Sequence, residues 1–316
     1  MNKIISLIIL FVLVFSAQSF SAQTKVSSAD LELTAENFTA EQNYDGALEI
    51  YSKLIDSNPS KKKKYEYFLL MGDVQDRQGN YSAALGNYYK AAELYKKNEV
   101  NLKIGDALLK SNLYTIAERN FLDVLSKNKR SDYAKRRLGD IYLKQGNYLK
   151  AIEYYEAVDH FYVDRNTIMN MSKAYKNVGR SNKAIELIDR QLKYSDDAEI
   201  LILLGTLYAE AKDYAKAEES ILASIALDDK NFVSYLYAAS IFEGKNEFAK
   251  AKTYLLKVSK LNPNLSLTDL LLSKIAYKMN DLSGAKFYAA SAVKKASAPF
   301  VAEQAQRMLD FYNGKK

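Results

Sequence analysis

Polar and apolar positions follow a helical period over nearly the whole chain. Apolar residues recur at i, i+3, i+4 and i+7 in stretches of about a dozen residues, which is the spacing of one helix face. Short polar turns such as Gln78-Gly79-Asn80 and Gln145-Gly146-Asn147 join the stretches in pairs. The pattern predicts an all-α chain of helical hairpins from Ser28 to about Pro299.

The predicted hairpins repeat at a fixed interval. Each predicted hairpin contains one alanine, here named its marker alanine, at a corresponding position. Successive marker alanines are separated by 33 or 34 residues, except for one gap of 37 between the first two. The residue twelve positions before each alanine is small in all eight units, and the residue three before it is aromatic in six of them. One hairpin cannot bury its own apolar face, so a repeated hairpin predicts a solenoid. The marker alanines are Ala47, Ala84, Ala117, Ala151, Ala184, Ala217, Ala251 and Ala285.

The repeat also predicts how the helices pack and where the array ends. We expect the small residues to let the two helices of a hairpin approach closely, and the tyrosines to fill the gap between neighbouring hairpins. The units are predicted to start near residues 28, 65, 98, 132, 165, 198, 232 and 266. Beyond Pro299, a last helix in residues 300–316 presents one apolar face, as a capping helix does, formed by Val301, Ala305, Met308 and Tyr312.

This pattern resembles the tetratricopeptide repeat family, for example at Gly139, Tyr142, Tyr148, Ala151 and Tyr155. The resemblance implies a right-handed α-solenoid of about eight helix-turn-helix repeats, placed within residues 23–299. It also implies that the first helix of each repeat lines a concave, ligand-binding surface. The pattern is specific for the fold and says nothing about which partner binds.

The N-terminus has the organisation of a secretory signal peptide. Lys3 precedes an apolar run, Ile4 to Phe15, and then the small and polar residues 16–22. The apolar run is shorter than the roughly 20 residues of a membrane-spanning helix. We therefore expect cleavage between Ser19 and Ala22, removal of residues 1–22, and a periplasmic or secreted chain without a transmembrane anchor. An uncleaved signal anchor is the alternative.

Composition excludes much familiar chemistry. The chain has no Cys and one His, His160, which excludes disulfides, thiolate nucleophiles and Cys/His zinc sites. It has 12 Gly, and neither GxGxxG nor GxxxxGK[ST] occurs. We expect no enzymatic activity, no cofactor and no metal, with a surface or packing role for His160. The net charge is +7 and the basic residues are interleaved with acids, so nucleic acid is not expected as a partner.

The residue directly after each small position is the candidate binding position. It is acidic in the first four units and neutral or basic afterwards. An acidic stripe in a groove would receive a basic peptide. The alternative is intrahelical pairing, because Arg77, Lys110 and Lys144 lie four residues after three of the acids. The candidates are Glu36, Asp73, Asp106, Asp140 and, in the fifth unit, Lys173.

Two further clusters are candidates for anion or glycan contact. Tyr133, Arg136 and Arg137 combine an aromatic ring with two cations, and the alternative is a solvated helix face. The run from Lys61 to Lys64 coincides with the gap of 37 and is predicted to be a loop between helices, with contact to anionic lipid or wall polymer as the alternative.

These features predict an exported, non-enzymatic scaffold that binds envelope proteins or peptides in its groove. The second hypothesis is a glycan or cell-wall binding module, with wall polymer as its partner. It depends on first-helix tyrosines such as Tyr133, Tyr237 and Tyr277, together with the lysine run.

Overall fold

A computed structural model describes residues 27–159, 164–193 and 196–314. The predicted signal peptide and His160 lie outside these ranges. All seventeen regular elements in the described ranges are α-helices. They are α1 Ser28–Ala40, α2 Tyr44–Asp56, α3 Lys61–Arg77, α4 Tyr81–Leu94, α5 Asn98–Lys110, α6 Tyr114–Lys127, α7 Asp132–Lys144, α8 Tyr148–Glu156, α9 Arg165–Asn177, α10 Ser181–Leu192, α11 Ala198–Glu210, α12 Tyr214–Leu227, α13 Phe232–Gly244, α14 Phe248–Leu261, α15 Ser266–Lys278, α16 Leu282–Lys295 and α17 Pro299–Tyr312.

Helices α1 to α16 form eight hairpins, and α17 follows them as a capping helix. The predicted all-α solenoid class is therefore confirmed. Each hairpin turn contains one residue with positive φ, which ends the first helix and reverses the chain. Glycine or asparagine occupies this position in six of the eight hairpins, since both tolerate the left-handed conformation. The eight residues are Gln42, Gly79, Asn112, Gly146, Gly179, Lys212, Asn246 and Asn280.

The lysine run lies in a helix, so its prediction as a loop is wrong. Helix α3 has 17 residues, whereas α1 and α5 have 13. Ser60 caps α3 by accepting a hydrogen bond from the Lys63 backbone N–H at 3.3 Å, which allows the helix to begin at Lys61. The additional turn accounts for the single gap of 37 between marker alanines.

The described chain divides into two compact units, residues 27–137 (unit 1) and the described residues from 138 onward (unit 2), with the division inside α7. In unit 1, Ala35, Ala47, Tyr51 and Tyr67 belong to one buried cluster. In unit 2, separate clusters form along the chain, and the last of them joins α17 to the preceding hairpin through Tyr312. All eight marker alanines have no exposed surface, which explains why the alanine period is so regular.

Small residues in the first helices make room for aromatic rings. A Cβ built on Gly72 would lie 2.3 Å from the ring of Tyr88, and one built on Gly105 would lie 2.5 Å from the ring of Phe121. Both rings come from the second helix of the same hairpin. Tyr88 and Phe121 thus occupy the space that a side chain would take within their own hairpins. The prediction that tyrosines fill the gap between hairpins describes Tyr51, whose ring centre lies 6.3 Å from that of Tyr67 in the next hairpin.

Ion pairs also join neighbouring hairpins of unit 2. The Glu243 carboxylate on α13 lies 2.9 Å from Lys274 Nζ and 2.8 Å from Lys278 Nζ, both on α15. Burial raises the pKa of Glu243, but hydrogen bonds and attraction from the two lysines outweigh it, so that the pKa is lowered overall. A lowered pKa in the folded state stabilises the protein above the unfolded pKa, and this contribution is lost as the pH falls through the folded pKa.

Glu243→Gln is therefore expected to lower the free energy of unfolding near pH 7 by about 1 kcal/mol. The difference from the unaltered chain should shrink as the pH falls through the lowered folded pKa of Glu243, because the carboxylate is then protonated in both states. Urea unfolding near pH 7 and at successively lower pH values measures this. A difference that stays the same at every pH would contradict the ion-pair account.

Candidate functional site

Helices of unit 1, chiefly first helices, line an open cavity of about 310 Å³, here named the N-terminal cavity. Its volume is at the lower end of the roughly 300–1,000 Å³ typical of ligand pockets. Five carboxylates and two lysines line it, so its charge is negative overall. The lining residues are Glu32 and Glu36 on α1, Tyr51 on α2, Lys63, Glu66, Tyr67, Leu69, Leu70 and Asp73 on α3, and Glu99 and Lys103 on α5.

Asp73 connects two hairpins. The hydroxyl of Tyr88, on the second helix of the same hairpin, donates a hydrogen bond to Asp73 Oδ1 at 2.8 Å. Lys103 Nζ, on the first helix of the next hairpin, donates to the same oxygen at 2.7 Å. Burial is the main reason that the pKa of Tyr88 is raised, and the Asp73 carboxylate adds to it. Both lone-pair directions of Asp73 Oδ1 are thus used within the protein.

Asp106 has an equivalent position one repeat later. Tyr133 donates its hydroxyl proton to Asp106 Oδ2, and Arg137 Nε lies 2.9 Å from Asp106 Oδ1. Burial raises the pKa of Asp106, while Arg137 and Tyr133 act against this shift. Arg137 also donates to the Tyr133 hydroxyl at 3.0 Å, and its guanidinium lies 4.8 Å from the ring centre. Arg136 lies 5.8 Å from the same ring.

Asp140, in unit 2, shows the same arrangement. It accepts a hydrogen bond from the Tyr155 hydroxyl at 2.7 Å and from Asn170 Nδ2 at 2.9 Å. The donors lie 15 and 30 residues after the aspartate, as they do for Asp73. For Asp73 and Asp106, the hydrogen-bond donors include Lys103 and Tyr133 on the next hairpin, so contacts between hairpins hold these carboxylates. Lys110 instead lies 2.5 Å from Asp76 of the preceding hairpin.

Glu36 departs from this pattern. Position 15 after it is Tyr51 and position 30 after it is Glu66, an acid instead of a donor. Among the described residues, Glu36 and Glu99 have no hydrogen-bond or ion-pair partner, and Glu66 has only Lys63 Nζ at 3.7 Å. Glu32, by contrast, accepts from Tyr67 and Lys63, and these bonds lower its pKa. Glu36, Glu66 and Glu99 therefore supply the negative charge that the cavity does not neutralise, and together they are named the open carboxylates.

Tyr51 is the residue that sequence analysis missed at this site. Only 2% of it is exposed, it lines the N-terminal cavity, and its hydroxyl makes no hydrogen bond with any described residue. Burial, followed by the charges of Glu36, Glu32 and Asp73, raises the pKa of Tyr51 to about 12. A comparison of the residues 30 positions after the acids would have distinguished Glu66 from Lys103 and Asn170. Position 15 is a tyrosine after Glu36, Asp73 and Asp140 alike, so the sequence does not single out Tyr51.

The remaining candidates are dispersed. Tyr133 and Arg137 both contact the Asp106 carboxylate of the preceding hairpin. They therefore connect two hairpins and do not form a purely solvated helix face. Lys173, in unit 2, is exposed, and Asn177 Nδ2 donates to its backbone oxygen at 2.8 Å. Tyr237 and Tyr277 are 39% and 44% exposed.

Tyr88 and Tyr51 give a matched pair of substitutions. Tyr88→Phe removes a hydrogen bond to a carboxylate in a half-buried site and is expected to cost about 1.5–3 kcal/mol of unfolding free energy. Tyr51→Phe removes no hydrogen bond and should change stability by less than about 0.5 kcal/mol. Chemical denaturation of both variants tests this, and equal losses would mean that the Asp73 contact does not contribute as described.

Two other kinds of feature are absent from the described part of the chain. No group of three or more His, Asp or Glu side chains there is placed to hold a metal ion. No helix within the same residues has the length and apolar character needed to cross a membrane.

Comparisons with known proteins place the fold. A family model described as tetratricopeptide repeat matches residues 34–99, 102–162 and 169–232, and a second model of the same description matches residues 234–265. A TPR repeat-containing protein of Methanocaldococcus jannaschii is 20% identical over 248 residues, which cover 74% of this chain and 43% of that protein. This chain therefore spans less than half the length of that relative.

Two solved structures have a similar backbone. A tetratricopeptide repeat protein from Parabacteroides merdae has a TM-score of 0.50 at 14% identity, covering 89% of this chain and 98% of that one. Yeast Tom70 has a TM-score of 0.55 at 16% identity, covering 94% of this chain and 66% of Tom70.

Repeats of this kind indicate a protein–protein interaction scaffold and are typically non-enzymatic. The family models together match more than half of the chain. They match hairpins whose marker alanines, turn residues and paired helices are those described above. The chain belongs to the tetratricopeptide repeat family.

Proposed function

We propose that this protein is an exported scaffold that binds a segment of a partner protein in the N-terminal cavity, in assembly or maintenance of the bacterial cell envelope. The observation that carries the binding site is the set of open carboxylates, which line a cavity on three first helices and lack full neutralisation. Charged groups that a protein leaves unpaired in a concave site favour a ligand of the opposite sign. The partner segment is therefore basic.

An extended segment fits the lining of this cavity. Leu70 is 36% exposed beside the acids, and Leu69 and the Tyr67 ring supply further apolar surface. An extended peptide alternates the sides on which its residues project, so one residue can meet the carboxylates while the next packs against Leu70. The proposal thus requires a basic residue with an apolar neighbour.

Export is the second part of the proposal, and the organisation of residues 1–22 supports it. In the native host, N-terminal sequencing is expected to find a new N-terminus directly after one of residues 19–22, and cell fractionation should place the protein outside the cytoplasm. An intact Met1 on a membrane-bound chain would favour the signal-anchor alternative and contradict cleavage.

Affinity capture tests the scaffold function. The full chain, tagged at its C-terminus and crosslinked in its native host, is compared with the variant Glu36→Gln, Glu66→Gln, Glu99→Gln. A matched control, Glu41→Gln, Asp56→Asn, Glu93→Gln, makes the same change in charge at exposed positions of unit 1 outside the cavity. We expect one or more envelope proteins to be retained by the unaltered chain and the control, and lost by the first variant.

Asp73, Asp106 and Asp140 are unsuitable for this comparison. Each accepts a hydrogen bond from a tyrosine hydroxyl and also contacts the next hairpin. Their substitution would therefore destabilise the fold as well as change the charge. Equal retention by all three chains would contradict the acidic-cavity proposal. Retention of purified wall polymer in place of protein would favour the glycan alternative, for which the exposed Tyr237 and Tyr277 are the candidate contacts.

A further inference from the structure

We propose that Tyr51, Glu36 and Glu66 form a subsite for one basic side chain of the partner segment. This inference rests on the function proposed above and identifies which part of the N-terminal cavity selects the ligand. It divides the acidic residues by role: the aspartates hold hairpins together, and Glu36 and Glu66 meet the ligand.

The Tyr51 hydroxyl is the first observation that points to a ligand. The equivalent hydroxyls of Tyr88 and Tyr155 donate to Asp73 and Asp140. Tyr51 is 2% exposed and has no such bond to any described residue. Its hydroxyl oxygen retains some accessible surface where the side chain lines the N-terminal cavity, so a ligand group can reach it and form a hydrogen bond with it.

Charge determines the sign of that ligand. The two lysines of the cavity are already engaged, since Lys63 Nζ lies 2.9 Å from Glu32 and Lys103 Nζ lies 2.7 Å from Asp73. Glu36 has no partner within the described chain, and the contact of Glu66 with Lys63 is long, at 3.7 Å. An anion would meet two carboxylates here, whereas a cation would neutralise them.

The number of acceptors suits an ammonium or guanidinium group. An ammonium group has three N–H donors and a guanidinium has five. Glu36, Glu66 and the Tyr51 hydroxyl oxygen offer carboxylate and phenol acceptors from three successive helices, α1, α3 and α2. The pKa of Tyr51, raised to about 12 by burial and nearby acids, keeps the phenol neutral, so it can accept from a cation without first losing a proton.

Apolar surface beside the acceptors suits the rest of a long basic side chain. The Tyr51 and Tyr67 ring centres lie 6.3 Å apart, and Leu69 and Leu70 line the same cavity. Lysine and arginine side chains bury their methylene groups along apolar surface while the charged end meets polar groups. The subsite thus combines both features of a basic side chain.

The test uses defined peptides and the full chain. The probe is a fluorescein-labelled heptapeptide with one central lysine flanked by leucine and alanine, and its counterparts carry arginine, Nε-acetyllysine or glutamate at the centre. Fluorescence anisotropy at low ionic strength should show binding of the lysine and arginine peptides, and at least about tenfold weaker binding of the acetyllysine and glutamate peptides.

Substitutions assign this discrimination to the subsite. Glu36→Gln with Glu66→Gln is expected to abolish the preference for lysine over acetyllysine, and Tyr51→Phe to weaken lysine binding about threefold to tenfold. The control Glu41→Gln with Glu93→Gln should bind as the unaltered chain does. Thermal unfolding of Tyr51→Phe should match the unaltered chain, which separates lost binding from lost folding.

Equal binding of the lysine and acetyllysine peptides, or no binding of any peptide, would overturn the subsite. So would a lysine preference that persists when Glu36 and Glu66 are both replaced. If that occurs while the triple glutamate variant still loses its partner in the native host, the scaffold proposal stands without this subsite. If the peptides behave as expected but no protein partner is retained, the subsite stands and the scaffold proposal fails.

Discussion

Gly105→Val is expected to destabilise unit 1 by about 3 kcal/mol. Glycine is an unfavourable residue inside a helix, so most substitutions in α5 would increase helix propensity. At this position the gain is outweighed by overlap, because a Cβ would lie 2.5 Å from Phe121 Cζ and 2.7 Å from Phe121 Cε1. Phe121 has no exposed surface, so its ring has no free space into which to move.

Circular dichroism during urea unfolding measures this change, and Gly86→Ala is its control. Gly86 lies on α4 with no atom within 4 Å of the position that its Cβ would occupy. The control should gain up to about 1 kcal/mol from helix propensity alone. If Gly105→Val changed the unfolding free energy as little as Gly86→Ala does, small first-helix residues would not be needed to leave space for an aromatic ring, and this part of the account would be wrong.

Phe121→Ala is expected to cost about 4 kcal/mol, the largest effect of any single substitution considered for this chain. The ring is fully buried over Gly105, and glycine has no side chain with which to fill the cavity that alanine would leave. The neighbouring Leu122→Ala is the control, because Leu122 is 40% exposed and should cost less than half as much. A similar loss for both would contradict the proposed packing.

The double variant links these two predictions. Because the valine in place of Gly105 would occupy space vacated by the Phe121 ring, the two losses should not add. The double variant is expected to lose less unfolding free energy than the two single variants lose together. The expected difference is about 1–3 kcal/mol, which is the coupling found for residues in contact. Additive losses would indicate that the two positions do not share one space.

Most of the fold follows from the alanine period. Each marker alanine is fully buried, so its spacing reports the hairpin repeat directly, and the turn residues with positive φ lie in the predicted polar turns. The run from Lys61 to Lys64 departs from the prediction of a loop, which rests on the tendency of four adjacent cations to be solvated loop residues. Here the Ser60 cap and the Glu32 partner of Lys63 support an additional helical turn at the start of α3.

The site was less predictable than the fold. The position directly after the small residue lies on the first helix of each hairpin, as predicted, but this position alone does not distinguish Glu36 from Asp73. Their difference lies in the residue 30 positions further on, which is Lys103 after Asp73 and Glu66 after Glu36. The residue 15 positions further on is a tyrosine in both cases. The helical period that relates neighbours within one helix contains no information about partners in the next hairpin.

The two roles of these acids have different physical consequences. An aspartate that accepts hydrogen bonds from two helices of unit 1 contributes to stability, since removing it leaves a tyrosine hydroxyl and a lysine without their partner. A glutamate with no partner contributes little to stability and retains its charge for a ligand. This division explains how a repeat protein can keep an acidic surface without weakening its fold.

Site-specific photocrosslinking tests the central claim most directly. A photoreactive amino acid is placed at Leu70, in the N-terminal cavity, or at Leu122, an exposed residue of α6 outside it, in the full chain expressed in its native host. The account predicts a crosslinked partner protein from position 70 that disappears with Glu36→Gln, Glu66→Gln and Glu99→Gln, and none from position 122. A partner crosslinked equally from both positions, or one from position 70 that is unaffected by the three substitutions, would contradict it.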